Sequence, residues 1–187
     1  MNAYHDFYCE RLEPGLWAEP LNALTNIAFF VAAYFAWRLA KKEGKIDWQV
    51  WLLIVLIAVI GAGSALFHTF ATTWALLADS LPILFYQIAF LNIYARKVIG
   101  LDCRYNAGLM AAYLLSIAAF GALPQDWLNG SIGYAPALIF LFGLGVYHKR
   151  TEKTHPYLLL VASAVFLLSL TFRSIDMTVC DYLSIGV

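Results

Sequence analysis

The chain has 187 residues, 62% hydrophobic and only 13% charged, and its formal net charge is +0. A soluble single domain of this composition would lack the polar surface to cover itself, so the lipid bilayer is the expected surroundings. A mean hydropathy of +0.71 agrees, and with acids and bases in balance no nucleic-acid partner is expected.

In chain order, residues 1–21 form an outer acidic segment, and most of it reads "HDFYCERLEPGLWAEPL". It has no basic n-region, and the apolar run that follows is too long for a signal-peptide core, so no cleaved leader is expected. Asp6, Glu10 and Glu19, with Asn22 and Asn26 beside them, are hard oxygen donors of the kind calcium takes. The other reading of the same residues is capping at the positive end of the first helix.

A spanning helix needs ~20 mostly apolar residues. Six such runs follow, at about 22–39, 48–67, 76–94, 107–123, 132–147 and 157–172. No ten-residue alternating pattern suggests a barrel, so the fold class is all-α, a polytopic transmembrane helix bundle. The loops are short and no repeat is present, so residues 1–187 are expected to form a single transmembrane domain, with 173–187 as a further outer segment.

The second run ends in "GAGSALFHTF", Gly61 to Phe70. Ser64 and His68 are four residues apart and share one helix face. Asp79 follows a short turn, where it can lean back toward His68; a carboxylate inside hydrocarbon costs ~2.5–3.5 kcal/mol and needs a partner. An imidazole, a carboxylate and a hydroxyl together suit zinc-assisted hydrolysis, the imidazole holding the metal, the carboxylate taking a proton and the hydroxyl donating to an oxyanion. Close helix packing through Gly61 and Ala65 is the structural reading of the same stretch.

Ten of the twelve basic residues lie in the loops after the odd-numbered runs: Arg38, Lys41, Lys42, Lys45, Arg96, Lys97, Arg104, Lys149, Arg150 and Lys153. The positive-inside rule then places the N-terminus outside, with His68, Asp79, Asp176 and Asp181 on that same side. Cys9 and Cys180 are both outside and are disulfide candidates if that compartment is oxidising; two unrelated thiols is the other reading. A non-enzymatic alternative also fits these residues: a receptor-like protein, or a proton-coupled transporter of small solutes, with Ser64, His68 and Asp79 as a structural network.

"YCE" at Tyr8 to Glu10, "AEPLNALTN" at Ala18 to Asn26, "GAGSALFHTF" with the following "DSLP" to Pro82, and "FRSIDMTVC" at Phe172 to Cys180 together resemble the alkaline ceramidase family. That family belongs to a group of seven-helix membrane hydrolases that includes the adiponectin-receptor-like proteins. The resemblance implies a bacterial-type member in the inner membrane, a zinc enzyme that hydrolyses the amide of ceramide or a related lipid. It implies His68 as a zinc ligand, Ser64 as oxyanion donor, Asp79 as the proton-accepting carboxylate, and Glu10 and Glu19 as calcium ligands.

Two departures from the family pattern stand out. Phe7 and Leu12 occupy positions that supply calcium ligands in a D-W-C-E-x-N segment, with Asp6 one register away. The other zinc ligands come from an H-x-x-x-H pair on a seventh helix, expected about where Gly186 and Val187 stand, so this chain is expected to hold six spans of seven and one zinc ligand of three.

Overall fold

The computed structural model describes residues 3–11, 13–124 and 126–183; Leu12, Gly186 and Val187, on which two of the expectations above bear, lie outside them. All regular elements among the described residues are helical: α1 (Pro20–Thr25), α2 (Ile27–Lys42), α3 (Trp48–Phe70), α4 (Thr73–Tyr94), α5 (Cys103–Gly121), α6 (Ala135–Arg150) and α7 (Leu158–Val179). A π-helical turn, Ala95–Ile99, extends α4, and a 3-10 segment, Trp127–Tyr134, leads into α6.

A helix satisfies its own backbone, which is what a chain in hydrocarbon must do. Among the described residues, five stretches are long and apolar enough to cross a membrane: Pro20–Lys42, Trp48–Phe70, Thr73–Ile99, Trp127–Arg150 and Leu158–Val179. The run expected at 107–123 is helical as α5 but is not among these five. It starts at Cys103 and so takes in the polar Arg104 and Asn106 ahead of the expected run. Phe29, Phe30, Val55, Val59 and Phe85 are exposed, as side chains facing lipid should be.

Helix ends follow local chemistry. Asp47 caps α3 by accepting from the backbone N–H groups of Gln49 and Val50 at 3.0 and 2.9 Å. The same carboxylate pairs with Lys97. At the other end, Ala71 adopts the left-handed conformation (φ 47°) and returns its N–H to Phe67.

The chain divides into two compact units, Met1–Asn106 and Ala107–Val187. In the second, α6 packs on α7, and Gly145 meets the α7 backbone and side chain at Leu159 and Leu160. The turn before α6 passes through left-handed Leu128, Asn129 and Gly130, and the Asn129 amide donates to the Arg173 carbonyl at 3.0 Å.

In the first unit, α3 is the central helix, packed on α2 and α4. Two glycines in "GAGSA" make this possible in different directions. A Cβ at Gly61 would sit 2.7 Å from the Phe29 Cβ on α2, and one at Gly63 would sit 2.0 Å from the Ala78 carbonyl oxygen on α4. That carbonyl would normally accept from the N–H of residue 82, but residue 82 is proline and has none. Small-residue packing therefore operates here through Gly61 and Gly63, and the Gly63 contact sets Asp79 against α3.

The N-terminal segment lies over the α3–α4 turn. The His5 N–H donates to the Ala71 carbonyl at 2.8 Å, the Thr73 N–H donates to Ala3 at 3.1 Å, and Tyr4 and Thr72 form an antiparallel bridge.

Gly63→Ala should therefore cost about 1–3 kcal/mol, because its methyl meets backbone that cannot rotate away. Gly108→Ala, where nothing lies within 4 Å, should be neutral or gain up to about 1 kcal/mol from helix propensity. Thermal unfolding of both variants in detergent checks this; equal melting temperatures would refute the packing account.

Candidate functional site

Pro20 starts α1 and carries no N–H, so the first free donors of this short helix are those of Leu21 and Asn22. Both are met by one side chain from eleven residues earlier. Glu10 Oε1 accepts from Leu21 at 2.6 Å, and Glu10 Oε2 accepts from Asn22 at 2.9 Å. The capping reading of the acidic segment thus describes Glu10.

Glu19 holds the N-cap position of α1 but makes no capping bond with its side chain. Relieved of that task by Glu10, its carboxylate turns inward. One oxygen accepts from Arg11 Nε, and the other meets His68 Nδ1 on α3. The Glu19 side chain is 1% exposed and that of Arg11 is 0% exposed, so this is a buried ion pair with a third, aromatic partner.

Burial pushes the Glu19 carboxyl up, but the hydrogen bonds from His68 and Arg11 outweigh it and hold the group below its ordinary value. For Arg11 burial pulls down, and its bonds to Glu19 and Tyr4 outweigh that, so the guanidinium is held above its usual range. Both groups are charged in the folded protein.

An ionised carboxylate only accepts, so the proton between Glu19 and His68 belongs to the imidazole Nδ1. A neutral ring protonated there presents its lone pair on Nε2. Metal-ligating histidines are held in this way, the second ring nitrogen donating to a carboxylate. Tyr8 packs on the ring with centroids 5.0 Å apart, and Phe67 lies at 5.7 Å, so the imidazole is fixed on its faces as well as at its edge.

The remaining expected residues divide. Ser64 is half-buried one turn before His68 on α3, and Asp79 is half-buried on α4, its backbone N close to the Cβ position of Gly63 at 3.1 Å. The imidazole, hydroxyl and carboxylate thus belong to one end of the α3–α4 pair. Asp6 is exposed on the overlying N-terminal segment. His5 in that segment pairs with the Thr73 hydroxyl at 3.1 Å, which holds the segment on the α3–α4 turn. Cys9 is buried in the first unit and Cys180 ends α7 in the second.

Two roles escaped the sequence reading. Arg11 is one of the two basic residues that are exceptions to the charge split, and nothing in residue order pairs Glu19 with His68. A cation on the wrong side of that split, within an acidic segment, was the available signal.

Among the described residues, no three of His, Cys, Asp and Glu converge to hold a metal ion. His68 nonetheless has a carboxylate at one ring nitrogen, the support that metal-ligating histidines have.

A protein-family model described as Ceramidase matches residues 8–186. The chain belongs to the ceramidase family. No curated protein and no solved structure matches it. Membership of the ceramidase family supports a hydrolase of amide bonds and a lipid substrate, and the five helices apolar enough to span a bilayer among the described residues are consistent with an integral membrane protein.

Proposed function

We propose that the protein is a zinc-dependent amidase that cleaves ceramide or a related lipid amide at the outer membrane face. The observation that carries this reading is the contact of the Glu19 carboxylate with His68 Nδ1, the kind of carboxylate support that metal-ligating histidines have at their second ring nitrogen. His68 would be the zinc ligand that this chain supplies, as the resemblance implies. Zinc in such a site polarises a carbonyl and makes water acidic near neutral pH.

The chain's own residues do the rest. Asp79 accepts the proton released as water adds to the amide carbonyl, and later delivers it to the departing amine. Ser64 donates its hydroxyl hydrogen to the oxygen of that carbonyl as negative charge gathers there. Water is consumed, the C–N bond breaks, and a long-chain amine and a fatty acid leave. The apolar tails reach the site laterally from the bilayer.

In the purified protein, His68→Ala should abolish both zinc content and hydrolysis of a fluorescent ceramide. Ser64→Ala should keep the metal and slow turnover about 10²–10³-fold, the usual loss for one oxyanion donor. Full activity with His68→Ala would favour the non-enzymatic reading of the Ser64, His68 and Asp79 network.

The proposed setting is the bacterial inner membrane with the N-terminus outside and a Cys9–Cys180 disulfide. Cys103 is exposed and lies next to the inner-loop bases. An impermeant maleimide should label it only after the membrane is opened. Alkylation in denaturant should reach Cys9 and Cys180 only after reduction. Labelling of Cys103 in intact cells would invert the orientation, and alkylation of the other two without reduction would remove the disulfide.

A further inference from the structure

The resemblance implies calcium on Glu10 and Glu19 in the acidic N-terminal segment, yet both carboxylates are already engaged. Calcium takes 6–8 oxygen ligands at about 2.3–2.6 Å. Both oxygens of Glu10 accept from backbone N–H groups, and both oxygens of Glu19 are held by Arg11 and His68. Phe7, at a position where the family pattern has a carboxylate, has an apolar side chain.

What stands among the oxygens is Arg11. Besides the Glu19 carboxylate, its guanidinium donates to the His68 carbonyl at 2.7 Å, to the Gly15 carbonyl at 3.4 Å and to the Tyr4 hydroxyl at 3.5 Å. The guanidinium carbon also lies 5.5 Å from the Tyr4 ring centroid. A carboxylate, two backbone carbonyls and a phenol oxygen are the sort of donors that surround a hard cation. Here a planar cation with fixed N–H directions is bonded to all of them.

We propose that Arg11 is the built-in structural cation of this segment and that the folded protein does not use calcium. The guanidinium tethers the N-terminal segment, through Tyr4 and Gly15, to the carbonyl of His68 on α3 and to the carboxylate that holds the His68 ring. A bound divalent ion would need those oxygens, and its charge would be set against a cation that cannot give up its proton. This inference does not rest on zinc or on hydrolysis.

The test is the melting temperature and isothermal calcium titration of the purified full chain in detergent, with calcium chloride against a chelator. The native protein should melt at the same temperature in both and bind no calcium. A calcium-dependent rise in its melting temperature, or stoichiometric binding, overturns the proposal. Arg11→Asn in chelator should melt about 10 °C lower, because a carboxylate is left buried without its partner, and calcium should restore part of the loss. An Arg11→Asn melting temperature equal to the native one also overturns it. If Arg11→Asn does not fold, Arg11→Lys keeps the charge with fewer donors; it should melt between the two extremes and stay insensitive to calcium, and a calcium response there counts against the proposal.

Discussion

A carboxylate taken out of water costs several kcal/mol unless each oxygen finds a donor, and Glu19 finds one on each. This single constraint joins three parts of the chain that are far apart in sequence. Arg11 must be drawn in from the N-terminal segment, α1 must begin at Pro20 so that Glu19 points inward, and α3 must present His68 at that depth. Glu10 completes the arrangement by capping α1 itself, which leaves the Glu19 side chain available. The orientation of His68 is a consequence of satisfying a buried acid.

The same economy governs the packing beneath. Hydrocarbon offers no partner for an open backbone carbonyl, so the oxygen released at Ala78 by Pro82 must lie against something small and polarisable. Gly63 provides that surface, and the close approach fixes where Asp79 stands relative to the helix that carries Ser64 and His68. Chemistry proposed for these three residues therefore depends on a glycine and a proline that touch no substrate.

Much of this was readable from residue order, for physical reasons. Apolar runs of membrane length leave few alternatives to helices, and the observed elements differ from the expected ones mainly at polar ends, such as Thr73 before Trp74 or Met177 and Thr178 after the apolar part of α7. The i, i+4 relation of Ser64 and His68 follows from helix geometry alone. Long-range pairing was not readable, because nothing local tells Glu19 that its partner is 49 residues away. The α5 helix begins earlier than the expected run, at Cys103, and so takes in Arg104 and Asn106 at its polar start. Gly63 was hidden by its neighbours, since the sequence pattern drew attention to Gly61 and Ala65.

The claim at the centre of this account is that Glu19 fixes the His68 tautomer. Nitrogen-15 NMR of histidine-labelled, metal-free protein at alkaline pH measures it directly, with the His68 signal assigned by its loss in His68→Ala. The account predicts a proton on Nδ1 and a bare Nε2, changing to the opposite form in Glu19→Ala as the carboxylate is removed. A native His68 ring with its proton on Nε2 and a bare Nδ1 would contradict it.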